Sequence, residues 1–245
     1  MLRNCARLVF GLGQSTLNFH RCPAFCQVSL GLYRTTPCCS QARTMITNSS
    51  FQDPRKDFSL PNSSWKKEML DLYNKFMELT KDGTWKSLPS YNVTVLHLPD
   101  FEPSSPRSTR LFTRNLDVEG AGMEYAMFMN LEDKRVICLF QPGPYVEGAP
   151  GFTHGGCIAT ILDAVSGMSA IYTAGKVMTA NLNINYRNPL PLGSVVVVES
   201  YVEKIEGRKI FISCQARSAD DTILYSEATA LFIRLNWTEG EKTSP

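Results

Sequence analysis

Histidine is scarce in this chain of 245 residues: there are three. Three scattered imidazoles do not make a metal ligand set, so metal catalysis is not expected. Acid is missing altogether from residues 1–52, and the first carboxylate is Asp53. The near-neutral total of +2 hides this asymmetry. No continuous run of about 20 apolar residues occurs near the N-terminus, so no membrane span is expected there. No basic stripe interleaved with aromatics is present, which argues against nucleic-acid binding. Internal repeats and low-complexity tracts are absent too, which leaves an ordinary globular protein, 43% hydrophobic, with an unusual leader.

That leader carries Arg3, Arg7, Arg21, Arg34 and Arg43 among Ser and Thr. An Arg-bearing, acid-free N-terminus reads as a mitochondrial transit peptide over residues 1–45, cleaved between Leu30 and Met45. A secretory signal and a plain basic tail are the rival readings. Five of the eight cysteines fall in the same stretch (Cys5, Cys22, Cys26, Cys38, Cys39). Cys22 and Cys26 have a metal-like gap, but no second pair lies at a finger spacing. Cys138, Cys157 and Cys214 read as buried free thiols.

Residues 46–108 form a helical extension and linker. Asn62 or Ser63 is positioned to cap a helix running to about Lys81, and Asp82-Gly83 ends it. Its apolar residues, among them Trp65, Met69, Tyr73 and Phe76, suit packing onto the main domain. Pro99–Ser108, with three prolines and three serines, reads as a linker. From Leu111 the pattern turns to strands. Glu124–Met129 and Arg135–Phe140 predict a hairpin. His154–Gly175 predicts one long helix. Val177–Arg187, Ser194–Glu203, Lys209–Arg217 and Thr222–Leu235 predict four strands. A strand pair, a helix and four strands make an α+β domain over 109–236, an antiparallel sheet packed on one helix. Residues 237–245 are a tail.

The predicted helix contains no Lys, Arg or Glu, and its one acid is Asp163. At about 100° per residue, Ile158, Ile161, Leu162, Val165, Met168 and Tyr172 share one face. Asp163 lies opposite, among Gly156, Ala159, Gly167, Ala170 and Ala174. A solvent face normally carries charge, and this one carries small residues. Asp163 is therefore expected to be buried or half-buried, either as a structural hydrogen-bonding residue or as a reactive carboxylate. His154-Gly155-Gly156 opens the helix. The backbone N–H groups there, at the positive end of the helix dipole, suit a developing oxyanion, or else form only a tight capped turn. Gly156 and Asp163 are about 10 Å apart along the axis. One helix cannot bring both to one carbonyl, so a symmetric homodimer sharing its sites is expected. In the strand that follows, alternation places Thr179, Asn181, Asn183, Asn185 and Arg187 on one face. Met178, Ala180, Leu182, Ile184 and Tyr186 fall on the other. Arg187, Lys204, Arg208 and Lys209, near turns, are either phosphate contacts or scattered surface charge.

The string from His154-Gly155-Gly156 through Asp163 resembles the signature of the PaaI-type hotdog acyl-CoA thioesterases. Thr179–Tyr186, Val202–Lys209 and the Gly143–Gly148 loop fit as well, and the resemblance covers roughly residues 55–236. It implies a hotdog fold, an antiparallel sheet wrapped around a long central helix and dimerising through the sheet. It implies hydrolysis of medium- to long-chain fatty acyl-CoA without a cofactor. It casts Asp163 as base or nucleophile, the Gly155 or Gly156 amide as carbonyl-polarising donor, Thr179 as water-positioning residue and His154 as loop support. Asn185, Arg187, Lys204, Arg208 and Lys209 would meet CoA. It further implies protein kinase B as a regulatory partner, peripheral membrane association, and residence in mitochondria, on the matrix or inner-membrane side, with cytoplasm and plasma membrane as further places. A non-catalytic binding protein on the same scaffold and a hotdog dehydratase using His154 are the alternatives.

Overall fold

The computed structural model describes residues 57–90, 112–114, 118–130 and 132–235. The proposed transit peptide, the Pro99–Ser108 linker and the C-terminal tail lie outside the described residues. All described residues belong to one compact unit, Ser50–Pro245.

The chain runs α1 (Lys67–Leu79), β1 (Trp85–Leu88), β2 (Met123–Asn130), β3 (Arg135–Pro142), α2 (Gly155–Ala174), β4 (Val177–Tyr186), β5 (Val196–Glu206), β6 (Lys209–Ser218) and β7 (Leu224–Arg234). The strands form one seven-stranded sheet in the order β1-β2-β3-β5-β6-β7-β4. Every pairing is antiparallel. The sheet wraps α2, which is the hotdog architecture that the resemblance implies.

Helix α2 buries Ile158, Ile161, Leu162, Val165 and Met168 in the main core with Phe140, Val198 and Tyr225. By length and composition it could cross a membrane, but half of it is buried inside the protein. The sheet covers more of the helix than one apolar stripe. Ala170, which the angular reading puts with Asp163, is fully buried against Ile210, Ile212, Ala230 and Phe232. Small side chains below Asp163 therefore admit the protein's own curled sheet. Buried serines satisfy one another inside this packing: Ser169 and Ser200 share a 2.5 Å hydrogen bond.

Strands β2 and β3 are buried on both faces, which is why their sequences read as near-continuous apolar runs. One face meets α2. The other meets the extension, Trp65 and the α1 residues Met69 and Tyr73 packing against Phe128, Ile137 and Leu139. Tyr73 and Phe76 pack their rings on Phe128 at 5.5 and 5.2 Å. The extension is thus part of the folded unit, and it adds β1 to the sheet edge, a strand that the sequence reading did not assign. Helix α1 also starts later than the local caps suggest. Asn62 Oδ1 accepts from Ser64 N and Oγ in a tight turn. The acceptor for the Lys66 N–H is Gln141 Oε1, 75 residues away on β3.

Candidate active site

His154 and Gly175 bound α2 as expected. His154 is the N-cap, and its Nδ1 accepts the Gly156 N–H at 2.9 Å. An accepting Nδ1 leaves the ring proton of a neutral imidazole on Nε2. This contact separates two amides that the sequence leaves equivalent. The Gly156 N–H is taken by His154. The Gly155 N–H makes no hydrogen bond to any described residue, and at the first turn of the helix it has no intrahelical acceptor. Tyr186 supports the same turn by donating its hydroxyl to Gly155 O at 3.0 Å. Its place on a strand face with Leu182 and Ile184 was the available signal for that contact.

Asp163 is half-buried two turns further along α2. Thr179 Oγ1 donates to its Oδ1 at 3.0 Å. Strict alternation would put Thr179 on the face of Asn181 and away from the helix. The structure reverses this: the β4–β7 register slips between Thr179 and Asn181, so Thr179 pairs with Phe232 and Asn181 with Leu231. Residue 180 is the extra one, and the bulge turns Thr179 to the same side as Leu182 and Ile184. The other Asp163 oxygen has no partner among the described residues.

Gly155 and Asp163 do not converge in one protomer, being about 12 Å apart along the helix axis. Each borders its own cavity. His154, Gly155, Tyr186 and Arg187 line an open groove of about 810 Å³. Asp163 lines a smaller cavity of about 170 Å³ with Thr160, Met168 and Tyr125. The two share no lining residue.

The proposed CoA contacts also divide. Arg187 Nε and Nη2 donate to Glu227 Oε1, at 3.1 and 2.5 Å, and Asn185 Nδ2 lies 3.5 Å from it. The Arg187 hydrogen bond holds the Glu227 carboxyl below the usual glutamate range. Lys204 pairs with Glu206 at 2.9 Å and sits over the Phe211 ring. Arg208 and Lys209 are exposed at the β5–β6 turn. Tyr186 is level with Ser226 on β7, and Lys209 with Ile233. The two sets are therefore roughly 23 Å apart along the strands. Within one protomer they are not one phosphate site. Asn185 and Arg187 lie at the Gly155 end, whereas Arg208 and Lys209 lie at the Thr179 end.

Cys138, Cys157 and Cys214 are free thiols, two of them buried and Cys157 partly so. Burial pushes the Cys157 thiol up to about 12. Among the described residues, no group of three or more His, Cys, Asp or Glu could hold a metal ion.

Residues 150–225, which hold α2 and β4 with Gly155, Asp163 and Thr179, match the Thioesterase superfamily. The chain is 51% identical over 238 residues to acyl-coenzyme A thioesterase THEM4 of Xenopus laevis, covering 96% of this chain and 99% of that one. It is 46% identical over 222 residues to acyl-coenzyme A thioesterase THEM4 of Rattus norvegicus, covering 86% of this chain and 96% of that one. It is also similar to a crystal structure of a thioesterase superfamily protein, with 28% identity and a TM-score of 0.42 over 44% of this chain and 53% of that one.

Proposed function

The chain belongs to the acyl-coenzyme A thioesterases of the thioesterase superfamily, and we propose that Asp163 is the general base of its hydrolysis, with Gly155 of a second copy polarising the thioester carbonyl. The observation that carries this reading is the Asp163 carboxylate itself: half-buried, with one oxygen held by Thr179 and the other open. The open oxygen takes a proton from water as the water attacks the carbonyl carbon. Negative charge gathers on the carbonyl oxygen, where the Gly155 N–H and the positive end of α2 stabilise it. Collapse breaks the carbon–sulfur bond. Thiolate is a fair leaving group and recovers the proton from Asp163. Thioester and water become carboxylic acid and CoA thiol.

A homodimer is part of the proposal. Strand β4 is the sheet edge beyond β7, and most of it is exposed. Antiparallel pairing of β4 with its copy would lay the Gly155–Tyr186 end of one protomer over the Asp163–Thr179 end of the other. The same operation would bring Asn185 and Arg187 toward the partner's basic β5–β6 turn, joining the two proposed CoA sets.

Single-turnover hydrolysis in oxygen-18 water tests the role of Asp163. Under base catalysis the label enters the released acid alone. Label inside the Asp163 carboxylate would mean direct attack and an anhydride.

The substrate range proposed is medium- to long-chain fatty acyl-CoA. Modulation of protein kinase B, peripheral membrane association and mitochondrial import remain proposals resting on the sequence resemblance and the acid-free leader. Kinase binding is expected to survive Asp163→Asn. A reporter fused behind residues 1–45 is expected to enter mitochondria.

A further inference from the structure

The cavity beside Asp163 is bounded by four parts of the fold. Helix α2 supplies Thr160, Ala164 and Met168 on the same turns as Asp163, and β2 supplies Tyr125 and Met127. The remaining wall comes from outside the helix and the strands around it: Ser59, Pro89 and Ser90 of the N-terminal extension, and Phe112 and Thr113 of a short 3-10 turn.

This outer wall is tied down. The Asp57 carboxylate accepts the N–H groups of both Ser59 and Ser90 at 2.9 Å, which ties these two segments of the extension together. Arg114 is buried, with its guanidinium 3.3 Å from the Tyr125 ring centroid and Nη2 donating to Tyr125 O at 2.7 Å. Arg114 Nη2 also reaches Ser59 Oγ at 3.4 Å. Thr113 Oγ1 and the Tyr125 hydroxyl share a buried 3.0 Å hydrogen bond. This bond ties the 3-10 turn to β2 within the cavity lining.

A cavity of about 170 Å³ is smaller than a whole ligand site, which runs to roughly 300–1,000 Å³. It suits one apolar part of a larger substrate, and a catalytic carboxylate lies on its wall. We infer that this cavity receives the acyl chain of the thioester and that the Thr113–Tyr125 pair is its end wall, so that this pair sets the chain length the enzyme accepts. The inference rests on the thioesterase reading and on Asp163 being at the reacting carbonyl. Each methylene that the cavity buries should raise kcat/KM by about fourfold. The rise stops at the length where the chain meets Thr113 and Tyr125.

The test is a kcat/KM profile of the full-length protein over saturated acyl-CoAs from C4 to C18. Wild type is compared with Thr113→Leu, which fills the end, Thr113→Ala, which opens it, and Thr113→Ser, which keeps the hydroxyl. The break in the profile is expected to move to shorter chains in Thr113→Leu and to longer chains in Thr113→Ala. Thr113→Ser stays with wild type. A break that stays in place in folded variants overturns the inference alone. No hydrolysis of any length by wild type overturns the thioesterase reading and the inference with it. A non-hydrolysable acyl-CoA ether with a terminal diazirine gives a second readout that needs no variant. Cross-links at residues 112–113 or 125 support the end wall, and cross-links confined to the groove beside Gly155 overturn it.

Discussion

The Thr179 hydroxyl donates to Asp163 Oδ1 at 3.0 Å because the bulge between Thr179 and Asn181 turns Thr179 toward α2. The bond occupies one carboxylate oxygen and leaves the other open, the one that the proposed mechanism turns to water. Thr179 is on this account a positioning residue for the base.

Asp163→Asn is expected to lower kcat for acyl-CoA hydrolysis by about 10²–10⁴-fold, the usual contribution of a positioned base. The variant should still fold, because amide and carboxylate have the same shape. Thr179→Val should lower kcat by about 10- to 100-fold, as for loss of a hydrogen bond to a charged group, with little change in KM. Thr179→Ser should restore most of it. Equal losses in Ser and Val would remove the hydroxyl from the account.

At the head of α2, the His154 cap and the open Gly155 amide have separable effects. His154→Ala removes the acceptor for Gly156 N–H and should cost about 1 kcal/mol, read as a lowered Tm. His154→Asn supplies another capping oxygen and should recover stability. Gly155→Ala should fold normally, since the atoms nearest its new methyl are those of the Tyr186 side chain at 3.7 Å, an ordinary contact distance. Its effect should fall on kcat, by crowding the amide proposed to hold the oxyanion. A large loss of Tm in Gly155→Ala would speak against that division.

Removing the contact between extension and sheet should destabilise the whole domain. Met69 is fully buried against β2 and β3. Met69→Ala should cost about 2–5 kcal/mol in urea unfolding, whereas Glu68→Ala, exposed on the same turn, should be near neutral. A single cooperative transition in both would show that α1 unfolds with the sheet; an early separate phase in Met69→Ala would show that it does not.

The thiols near the helix and sheet should stay inert at neutral pH. Burial raises Cys157 and Cys214 to about 12 from an ordinary value of 9.0. At pH 8 only about one in 10⁴ of such thiols is ionised, so iodoacetamide should spare both in native protein and label both in denaturant. The sign for stability follows from the raised values. The benefit of burying them neutral is complete below the unfolded thiol value and is lost as pH climbs toward about 12. Peptide mapping by mass spectrometry reads the labelling, and fast native labelling of Cys157 at pH 8 would contradict its burial.

Much of the architecture was legible in local pattern. The absence of Lys, Arg and Glu from Gly151 to Gly175, with Gly155-Gly156 at one end and Gly175 at the other, marked α2 to within a residue. Turn residues and apolar alternation marked the hairpin and the four later strands. Helical rise alone placed Gly156 and Asp163 too far apart for one carbonyl, and that needs no tertiary structure because the spacing of a helix is fixed by its own hydrogen bonds. Tertiary structure decided what depends on partners distant in sequence. Gln141 caps α1 from β3, and no local pattern announces an acceptor 75 residues away. The slip beside Asn181 reverses the face of Thr179, because register is set by the pairing with β7 and not by alternation within β4. The choice of Gly155 over Gly156 as the open amide depends on the rotamer of His154. The pairing of Thr113 with Tyr125 lies beside a buried Arg114 that bonds both Tyr125 and Ser59, from the two sides of the linker. Periodicity and caps are properties of a few neighbouring residues. Register, face and enclosure come from contacts summed over the whole fold.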